Sequence, residues 1–219
     1  MSAVPSSAQD WTLLGSLNWD WAQNLYAHVD AGYLYQQDTT LNESVGSLPT
    51  TTVNASFSPG IRGDIALGYN INKSWAVEFD TGVLWNSMDK VNGVSLSSVD
   101  TSFDTYTVPL LVKINYKVPL KGPWFPYVGV GVGGAASLLS YSQAGYSWDN
   151  SDFVFGYQAE AGLQYRLTQN ASFDIAYEFF GTTDPNWNSI QNIGAPTHYD
   201  FKEHGFYTHS IVVSFTWSF

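Results

Sequence analysis

His209 and Ser210 are the residues whose types could do covalent chemistry, because a histidine base beside a serine hydroxyl can activate a nucleophile. They are adjacent in a stretch that alternates apolar and small polar residues up to the end of the chain. Adjacent residues of a strand point to opposite faces, and so do His209 and Ser214, because their positions differ by five, an odd number. Neither pair can work as base and nucleophile, so we predict that the protein is not an enzyme.

A second candidate for chemistry is a group of possible metal ligands in the polar stretch 181–205. His198, Asp200, Glu203 and His204 supply imidazole and carboxylate groups, which bind divalent metals. Their spacing is not that of a tight metal motif, and the chain has no cysteine. Polar residues at loop tips are usually solvated, so we predict neither a metal site nor a cofactor.

The alternation at the end of the chain is the clearest structural signal. Between His209 and Phe219 the apolar residues share one face and small polar residues share the other, which is the period of a strand. Such an apolar, aromatic face needs lipid to meet it, as in a closed transmembrane barrel. We predict that three aromatic residues form a C-terminal signal for the barrel-assembly machinery: Phe215, Trp217 and Phe219.

The same period recurs in seven further segments. The eight predicted strands are 25–37, 57–69, 75–86, 103–116, 126–141, 153–166, 172–180 and 209–219. Long polar stretches alternate with short connections and lie at 38–56, 87–102, 142–152 and 181–205. This segregation is typical of outer-membrane barrels. We therefore predict an all-β fold, an eight-stranded antiparallel up-and-down transmembrane β-barrel with four long extracellular loops and short periplasmic turns.

Composition supports a membrane barrel and excludes one class of partner. Charged residues make up only 12% of the chain and aromatic residues 16%, whereas soluble domains carry about 25% charged residues. The chain has 8 basic and 19 acidic side chains, which excludes nucleic acid as a partner. The charge-free stretch 122–148 is interrupted by proline and glycine and alternates in its centre, so it predicts a strand and not a membrane helix.

Two bands of aromatic residues are predicted to lie at the two membrane interfaces. The band near the short connections contains Tyr26, Tyr69, Trp75, Tyr116, Tyr165, Phe173, Trp217 and Phe219. The band near the long loops contains Tyr35, Phe57, Trp85, Phe103, Tyr141, Phe153, Phe179 and Tyr207. A soluble eight-stranded barrel would instead place its apolar residues inside, but the other face of these strands carries too many charges.

Three stretches resemble the small outer-membrane β-barrel family of bacterial surface proteins, which includes opacity-type and attachment-type proteins. The stretches are VPLLVKINY at 108–116, PYVGVG at 126–131 and FGYQAEAGLQYR at 155–166. The resemblance covers about residues 25–219 and implies the barrel fold and an outer-membrane location. It implies no single activity, since the family includes adhesins, structural barrels and proteins with no assigned role.

Charged residues on the predicted inward face form the candidate functional cluster. Its members are Asp30, Arg62, Asp64, Glu78, Asp80, Lys113, Glu160, Arg166, Asp174 and Glu178. Acids outnumber bases in this set by seven to three. The cluster is interpreted either as a polar plug that sets strand register or as a narrow hydrated path that prefers cations.

Depth counted from the short turns predicts contacts within this cluster. Glu78 is expected near Lys113, and Arg166 near Asp174, as two ion pairs between neighbouring strands.

The same counting sets like charges opposite each other. Asp64 is expected opposite Asp80, and Glu160 opposite Glu178, which is unfavourable across strands. Arg62, protons, water or a cation would then have to relieve the repulsion.

The first residues do not alternate. We expect residues 1–24 to form a periplasmic N-terminal segment, placed against the periplasmic mouth or in the inner membrane interface, before a barrel domain at 25–219. Its apolar residues are too many for a free tail: Trp11, Leu13, Leu14, Trp19 and Trp21. No signal peptide is visible in Met1–Asp10, and a precursor is expected to have carried one.

The expected role is that of a non-enzymatic surface scaffold or adhesion protein of the bacterial outer membrane, acting through its long acidic loops. The alternative is a narrow cation-preferring channel or small-solute conduit, and a barrel-embedded hydrolase ranks third. The expected partners of this monomer are outer-membrane lipids and lipopolysaccharide, the barrel-assembly machinery, and an extracellular ligand at the four long loops.

Overall fold

A computed structural model describes residues 23–45, 48–143, 146–191 and 198–219. Its strands in chain order are β1 Leu25–Gln36, β2 Thr39–Val45, β3 Thr51–Phe57, β4 Gly60–Asn70, β5 Trp75–Val91, β6 Val94–Ser95, β7 Thr101–Lys117, β8 Trp124–Gln143, β9 Tyr146–Arg166, β10 Ala171–Thr182, β11 Asn186–Gln191, β12 His198–Glu203 and β13 Phe206–Ser218. A short 3-10 helix, Leu96–Val99, lies between β6 and β7.

Eight of these strands close into an antiparallel barrel. Their order around the wall is β1, β4, β5, β7, β8, β9, β10 and β13, and β13 pairs back onto β1. Closure leaves the barrel without an unpaired edge, which is the condition for strands to cross a membrane. The predicted fold class is therefore confirmed.

Side chains alternate along the wall, with apolar groups outside and polar groups inside. On β4, Ile61, Ile65 and Leu67 are 59%, 62% and 55% exposed, whereas Arg62 and Asp64 between them are buried. The outer band is the surface that lipid covers in a transmembrane barrel. No helix among the described residues is long and apolar enough to cross a bilayer.

The polar stretches predicted as long loops contain further strands. Within 142–152, β8 and β9 continue as one hairpin that stays paired up to Gln143 and Tyr146. Strands β2 and β3 form a hairpin within 38–56, and β11 and β12 lie within 181–205. Together with the end of β5 they form a second sheet in the order β11, β12, β2, β3, β5. The wall of the barrel thus extends beyond the long-loop end as an ordered sheet.

Four aromatic residues assigned to the interface bands point inward, Tyr26 into the lumen and the other three into a cluster at the mouth, so these assignments are wrong. Tyr26 is buried, and its hydroxyl donates a hydrogen bond to Glu78 Oε1 at 2.6 Å. Phe57 and Phe103 are buried in an apolar cluster, and the ring of Tyr141 packs 5.3 Å from that of Phe103. Distance from the turns predicts depth in the membrane, whereas the parity of a residue along its strand decides which face it occupies.

Gly82 of β5 gives a direct test of how tightly the wall is packed, because it lies opposite Asp64 of β4. A Cβ at Gly82 would be 2.0 Å from Asp64 Oδ1 and 2.4 Å from the Gly63 carbonyl oxygen. We predict that Gly82→Ala lowers the free energy of unfolding by about 2 kcal/mol through overpacking. Urea titration of the protein refolded in lipid vesicles measures this change.

Gly63→Ala is the matched control, since a Cβ there would have the Asp30 carbonyl oxygen, 3.6 Å away, as its nearest neighbour. Its free energy of unfolding should stay within about 0.5 kcal/mol of the wild-type value. An equal loss of stability in both variants would contradict the account.

Candidate functional site

One lysine holds three carboxylates together inside the barrel. Lys113 Nζ lies 3.2 Å from Glu78 Oε2, 3.0 Å from Asp80 Oδ2 and 3.2 Å from Glu160 Oε2. Glu78 and Lys113 are direct register partners of β5 and β7, so this predicted ion pair is confirmed. Strand β8 separates Lys113 from β9, and Gly131 leaves the space beside the lysine that a side chain would fill. Lys113 thereby reaches Glu160 two strands away.

Arg62 forms a second charged centre that crosses the lumen. Its Nη2 lies 2.6 Å from Asp64 Oδ2 on the same strand, and its Nη1 lies 2.5 Å from Glu178 Oε2 on β10. Gln158 accepts a hydrogen bond from Arg62 Nη2 at 3.5 Å and donates one to Glu160 Oε2 at 3.4 Å. The side chain of Gln158 therefore links the arginine centre to the lysine centre.

Glu160 and Glu178 face each other directly in the ladder of β9 and β10, as predicted. Each carboxylate has its own cation, because Glu160 binds Lys113 and Glu178 binds Arg62. Opposite charges relieve the repulsion that two facing carboxylates would otherwise have.

The expected juxtaposition of Asp64 and Asp80 is wrong, because the register of β4 and β5 places Asp64 opposite Gly82. Turn geometry sets the register of a hairpin. The observed register of β4 and β5 differs by two residues from the register obtained by counting from the turn. Each of the two aspartates pairs with a cation, Asp64 with Arg62 and Asp80 with Lys113.

The expected ion pair of Arg166 and Asp174 is also wrong. Strands β9 and β10 place Arg166 opposite Ser172. Asp174 instead accepts a hydrogen bond from the Tyr127 hydroxyl at 2.7 Å. Arg166 is exposed, and its guanidinium carbon lies 4.4 Å from the centre of the Phe125 ring. Of the ten residues assigned to the interior cluster, Arg166 alone lies outside the buried set.

Buried carboxylates outnumber the permanently charged bases in the lumen. Among the described residues, seven acids are buried in the lumen: Asp30, Asp64, Glu78, Asp80, Glu160, Asp174 and Glu178. The two buried bases are Arg62 and Lys113. His28 adds a titratable group, with Nε2 3.4 Å from Asp30 Oδ2. The acid excess is thus larger than the sequence predicts, because Arg166 does not contribute.

An apolar layer closes the lumen on the long-loop side of these charges. It consists of Leu34, Leu84, Leu111, Ala135, Val154, Phe180 and Phe206. Seven of the eight barrel strands each supply one member. An eight-stranded barrel is narrow enough for side chains to fill its interior, so this layer blocks the path through the barrel at its depth.

The alternation pattern does not predict the apolar layer, because it treats every inward position as polar. A signal is nevertheless present in the sequence. At the depth of this layer four strands carry runs of three apolar residues in a row, centred on Leu34, Leu84, Leu111 and Val154. A strand with apolar residues on one face only would have none adjacent, so such runs indicate that both faces are apolar at that depth.

A second apolar cluster fills the mouth beyond this layer. Its buried members are Leu41, Ala55, Phe57, Met88, Phe103, Leu139 and Trp187. Trp187 of β11 is 2% exposed, and its indole nitrogen donates to the Ser137 carbonyl oxygen at 3.4 Å. A cavity of about 10 Å³ remains beside it, which holds at most one water molecule.

Glu203 of β12 is a carboxyl group buried beside this second cluster. Its Oε1 accepts a hydrogen bond from Gln36 Nε2 at 3.0 Å. Gln36 in turn accepts one from Asn86, whose Oδ1 accepts a 2.6 Å bond from the Thr105 hydroxyl. Burial is the main cause that raises the pKa of Glu203 to about 8. The hydrogen bond from Gln36 lowers this pKa, and the negative charge of Asp184 raises it further. Glu203 is therefore mostly neutral at pH 7.

The candidate catalytic pair lies on two faces, as parity predicts. Ser210 is buried inside the barrel. His209 lies on the outer face, with Nε2 2.6 Å from Gln37 Nε2 and Nδ1 2.5 Å from the Tyr177 hydroxyl oxygen. The two residues cannot exchange a proton directly.

The four residues considered as metal ligands do not form a described site. Glu203 is buried, whereas His204 is exposed, with Nε2 2.6 Å from Asn42 Nδ2. The side chains of His198 and Asp200 lie outside the described set. In the described parts of the chain, no three His, Cys, Asp or Glu side chains are arranged to hold a metal ion.

Predictions were made for both ends of the chain, an assembly signal at the C-terminal end and a periplasmic segment at the N-terminal end. The proposed assembly residues Phe215 and Trp217 lie on the outer face of β13, with the Phe215 ring 5.2 Å from that of Phe173, and Phe219 follows the strand. Their role in assembly stays a prediction. The predicted N-terminal segment lies outside the described residues except for its last two positions, 23 and 24.

The sequence matches the family model described as outer membrane protein beta-barrel domain over residues 2–219. The match covers nearly the whole chain. No curated protein matches the sequence.

Solved outer-membrane barrels share the fold at low sequence identity. Neisserial surface protein A is 17% identical, with a TM-score of 0.55 over 90% of this chain and 97% of that one. OprG of Pseudomonas aeruginosa is 14% identical, with a TM-score of 0.58 over 89% and 96%. The outer membrane protease OmpT of Escherichia coli is 8% identical, with a TM-score of 0.54 over 90% and 97%. These likenesses concern the fold alone.

Removal of the central ammonium group tests the lysine centre. We predict that Lys113→Met lowers the free energy of unfolding by about 3–5 kcal/mol, because three carboxylates stay buried without their cation. Urea titration in lipid vesicles measures the change. Lys90→Met is the control, since the ion pair that Lys90 Nζ forms within the described residues is an exposed contact of 3.6 Å with Asp89. Equal, small effects of the two substitutions would show that Lys113 is not a structural centre.

The buried carboxyl at the mouth predicts a pH dependence of local opening. The pKa of Glu203 is about 8 in the folded protein against an ordinary value of 4.5, so the closed mouth binds the proton more tightly than the open one. The bound proton of Glu203 contributes its full free energy to closure below pH 4.5. This contribution is lost as the pH rises through 8. Between pH 6 and 9 the opening free energy should fall by about 2–3 kcal/mol.

Hydrogen exchange of the Glu203 amide, which donates to the Pro185 carbonyl oxygen at 3.1 Å, measures this opening after correction for the intrinsic rate. Glu203→Gln stays neutral at every pH and should make the opening free energy independent of pH over this range. The same pH dependence in the variant and the wild type would rule out Glu203 as its source.

Proposed function

The chain belongs to the outer membrane protein beta-barrel domain family, and we propose that it works as a non-enzymatic surface protein that contacts external partners through the sheet beyond its sealed barrel. It resides in the bacterial outer membrane, as the family does. The start of β1, the end of β13 and the short turns face the periplasm, and the second sheet faces outward.

The sealed lumen is the observation that carries this proposal. Two charged centres and an apolar layer fill the interior, and a second apolar cluster fills the mouth. A barrel filled in this way offers solutes no open path. The structure outside the membrane is then the part available for contacts.

The outward sheet is ordered by its own contacts, which favours a role as a binding platform. The Asp152 carboxylate accepts a hydrogen bond from the Asn186 amide at 2.8 Å and so ties β9 to β11. Asp184 accepts one from the Gly205 amide at 3.1 Å and lies 3.3 Å from Lys202 Nζ. A surface that is already ordered binds a partner at a lower cost in conformational entropy.

The acidic side chains of the outward extension that form no ion pair indicate the chemistry of the partner. Glu43, Asp100 and Asp149 lie on the outward extension, and none forms an ion pair with another described residue. Lys90 and Lys202 both lie beside aspartates. A positively charged surface, or a lipopolysaccharide surface bridged by divalent cations, complements this charge.

The absence of enzymatic activity is part of the proposal. It is supported by the separation of His209 and Ser210 on opposite faces. A protease occurs among the barrels of the same fold, but a shared fold does not carry an activity with it.

Binding by bacteria that display the protein tests the proposal. Cells displaying the wild type should bind polylysine-coated beads, and cells displaying Glu43→Gln/Asp100→Asn/Asp149→Asn should bind about tenfold less.

The matched control removes the same charge from acids that already have partners and that do not tie the outward sheet together: Asp38→Asn/Asp89→Asn/Asp104→Asn. This control should retain most of the binding. Equal loss in both variants would reveal non-specific attraction to net charge, and unchanged binding in both would exclude the acidic surface. Heat-dependent mobility in gels verifies that each variant is folded.

One observation favours a second function, a narrow cation-preferring path. The seven buried carboxylates exceed the two buried bases, and an acidic lumen prefers cations. Ions could pass only if the apolar layer moved aside, and a cation-selective current is the signature of that state.

A further inference from the structure

Two of the seven buried carboxylates of the lumen have no permanently charged partner among the described residues. Lys113 binds three of the seven and Arg62 binds two, which leaves Asp30 and Asp174. Asp174 accepts a hydrogen bond from a tyrosine hydroxyl, and Asp30 lies beside an imidazole whose charge depends on its protonation. A buried carboxylate is costly unless a cation compensates its charge. These two acids are therefore the place where the lumen still needs positive charge.

The two acids lie on either side of one serine. Ser214 of β13 is the direct register partner of Asp30 on β1 and of Asp174 on β10. The Cβ atoms of directly opposite residues are about 5 Å apart. Because the wall of the barrel is closed, side chains on its inner face converge towards the axis. The hydroxyl and the two carboxylates can therefore reach one common ligand.

The oxygen atoms of this row are buried without hydrogen-bond partners. Ser214 is 3% exposed, and its Oγ accepts and donates no hydrogen bond among the described residues. The same holds for both carboxylate oxygens of Asp30 and for Oδ1 of Asp174. Buried polar atoms are almost always satisfied. Three side chains with unsatisfied oxygens at one level of the barrel therefore indicate a ligand that oxygen atoms bind.

A small cavity adjoins the row on its periplasmic side. Its volume is about 10 Å³, and Asp174, His28 and Thr216 are among its lining residues. Such a volume holds one water molecule or one ion of similar size. Lys117 also lines the cavity, but its Nζ lies over the Tyr26 ring, 5.2 Å from the ring centre, and forms no ion pair with a described residue. The cavity thus offers room for a single ion beside Asp174.

The periplasmic mouth gives access to this cavity. The mouth is a wide polar basin of about 680 Å³, which shares Thr216 and Gln164 with the lining of the small cavity. Three bases line the basin, Lys73, Lys117 and Arg166. Lys73 and Arg166 are exposed, so that salt screens their charge. An ion can therefore reach the row from the periplasm without crossing the apolar layer, and its binding requires no conduction.

We propose that Asp30, Ser214 and Asp174 bind one hard divalent cation of the Ca²⁺ class, which enters from the periplasm. Such ions prefer oxygen ligands, carboxylates above all, and water completes their coordination. Two carboxylates neutralise a divalent charge, and the ion joins β1, β13 and β10 at the seam where the first and last strands of the barrel meet. The site has two carboxylates and one hydroxyl. It therefore differs from a set of three His, Cys, Asp or Glu ligands, which the described residues do not form.

Calorimetric titration with Ca²⁺ tests the site on the full chain in nanodiscs of zwitterionic lipid, which leave both mouths accessible. The background Glu43→Gln/Asp100→Asn/Asp149→Asn removes outward acids that could themselves bind Ca²⁺. A failure of this proposal and a failure of the proposed surface role can therefore be told apart. One ion should bind per chain in this background, and the further change Asp30→Asn/Asp174→Asn should weaken binding by at least about tenfold, because it removes both ligand charges.

Ser214→Ala and Ser210→Ala form a matched pair. Both hydroxyls are buried on the inner face of β13 and have no hydrogen-bond partner among the described residues. Ser210 faces Glu178, whose carboxylate already binds Arg62. Ser214→Ala should weaken Ca²⁺ binding about tenfold, whereas Ser210→Ala should leave the affinity unchanged.

Thermal stability gives a second readout. Ca²⁺ should raise the midpoint temperature of the heat-dependent gel shift of the wild type, because a ligand of the folded state stabilises it. Choline chloride at equal ionic strength should not raise it. The variant Asp30→Asn/Asp174→Asn should show no rise specific to Ca²⁺, and its heat-dependent mobility verifies that it is folded.

Two outcomes would overturn the proposal. If the folded barrel binds no Ca²⁺, the charges of Asp30 and Asp174 are compensated by protons and by His28. Equal losses of affinity in Ser214→Ala and Ser210→Ala, or no loss in either, would place the ion away from the row.

Discussion

The rest of the structure depends on the compensation of buried carboxylates by two cations. Seven acids lie inside a barrel whose cross-section leaves little room for water. An uncompensated charge in such a place costs several kcal/mol. Lys113 therefore binds three carboxylates and Arg62 binds two. The Lys113 contact spans β8, where glycine leaves the necessary space. The ion pairs thereby join strands that are not neighbours in the wall, and they favour the one register in which every pair can form.

Layers of different chemistry follow one another along the barrel axis. A basic basin lies at the periplasmic end, followed by the charged centres, the apolar layer and the apolar cluster of the mouth. Each layer suits its surroundings: the ends can be polar because water reaches them, whereas the filled middle has to satisfy its polar groups internally. Glu203 lies where the sealed mouth meets the outward sheet. This arrangement separates a rigid membrane anchor from the surface that contacts other molecules.

The sequence is sufficient to predict the barrel and part of its interior. Period-two alternation predicts all eight strands of the wall, because lipid outside and polar groups inside impose it on each of them. The pairing of Glu78 with Lys113 also follows from counting. The contacts of Asp64 and Arg166 cannot be predicted by counting, because a turn can shift the register of a hairpin by two residues. The sequence near these turns does not indicate the shift. The alternation does not predict the apolar layer, because a period of two identifies the apolar outer face and says nothing of exceptions on the inner one. Leu34 and Leu84 can be assigned to the layer only when runs of adjacent apolar residues are compared between strands. The outward sheet is hidden because its strands are polar and short.

The central claim is that the lumen is sealed, and the conductance of the refolded protein in a planar lipid bilayer tests it most directly. The account predicts a silent bilayer at neutral pH, with heat-dependent gel mobility showing that the inserted barrel is folded. A reproducible cation-selective current from the folded wild-type protein would contradict it. Such a current would mean that the buried acids line a wet path and that the apolar layer opens.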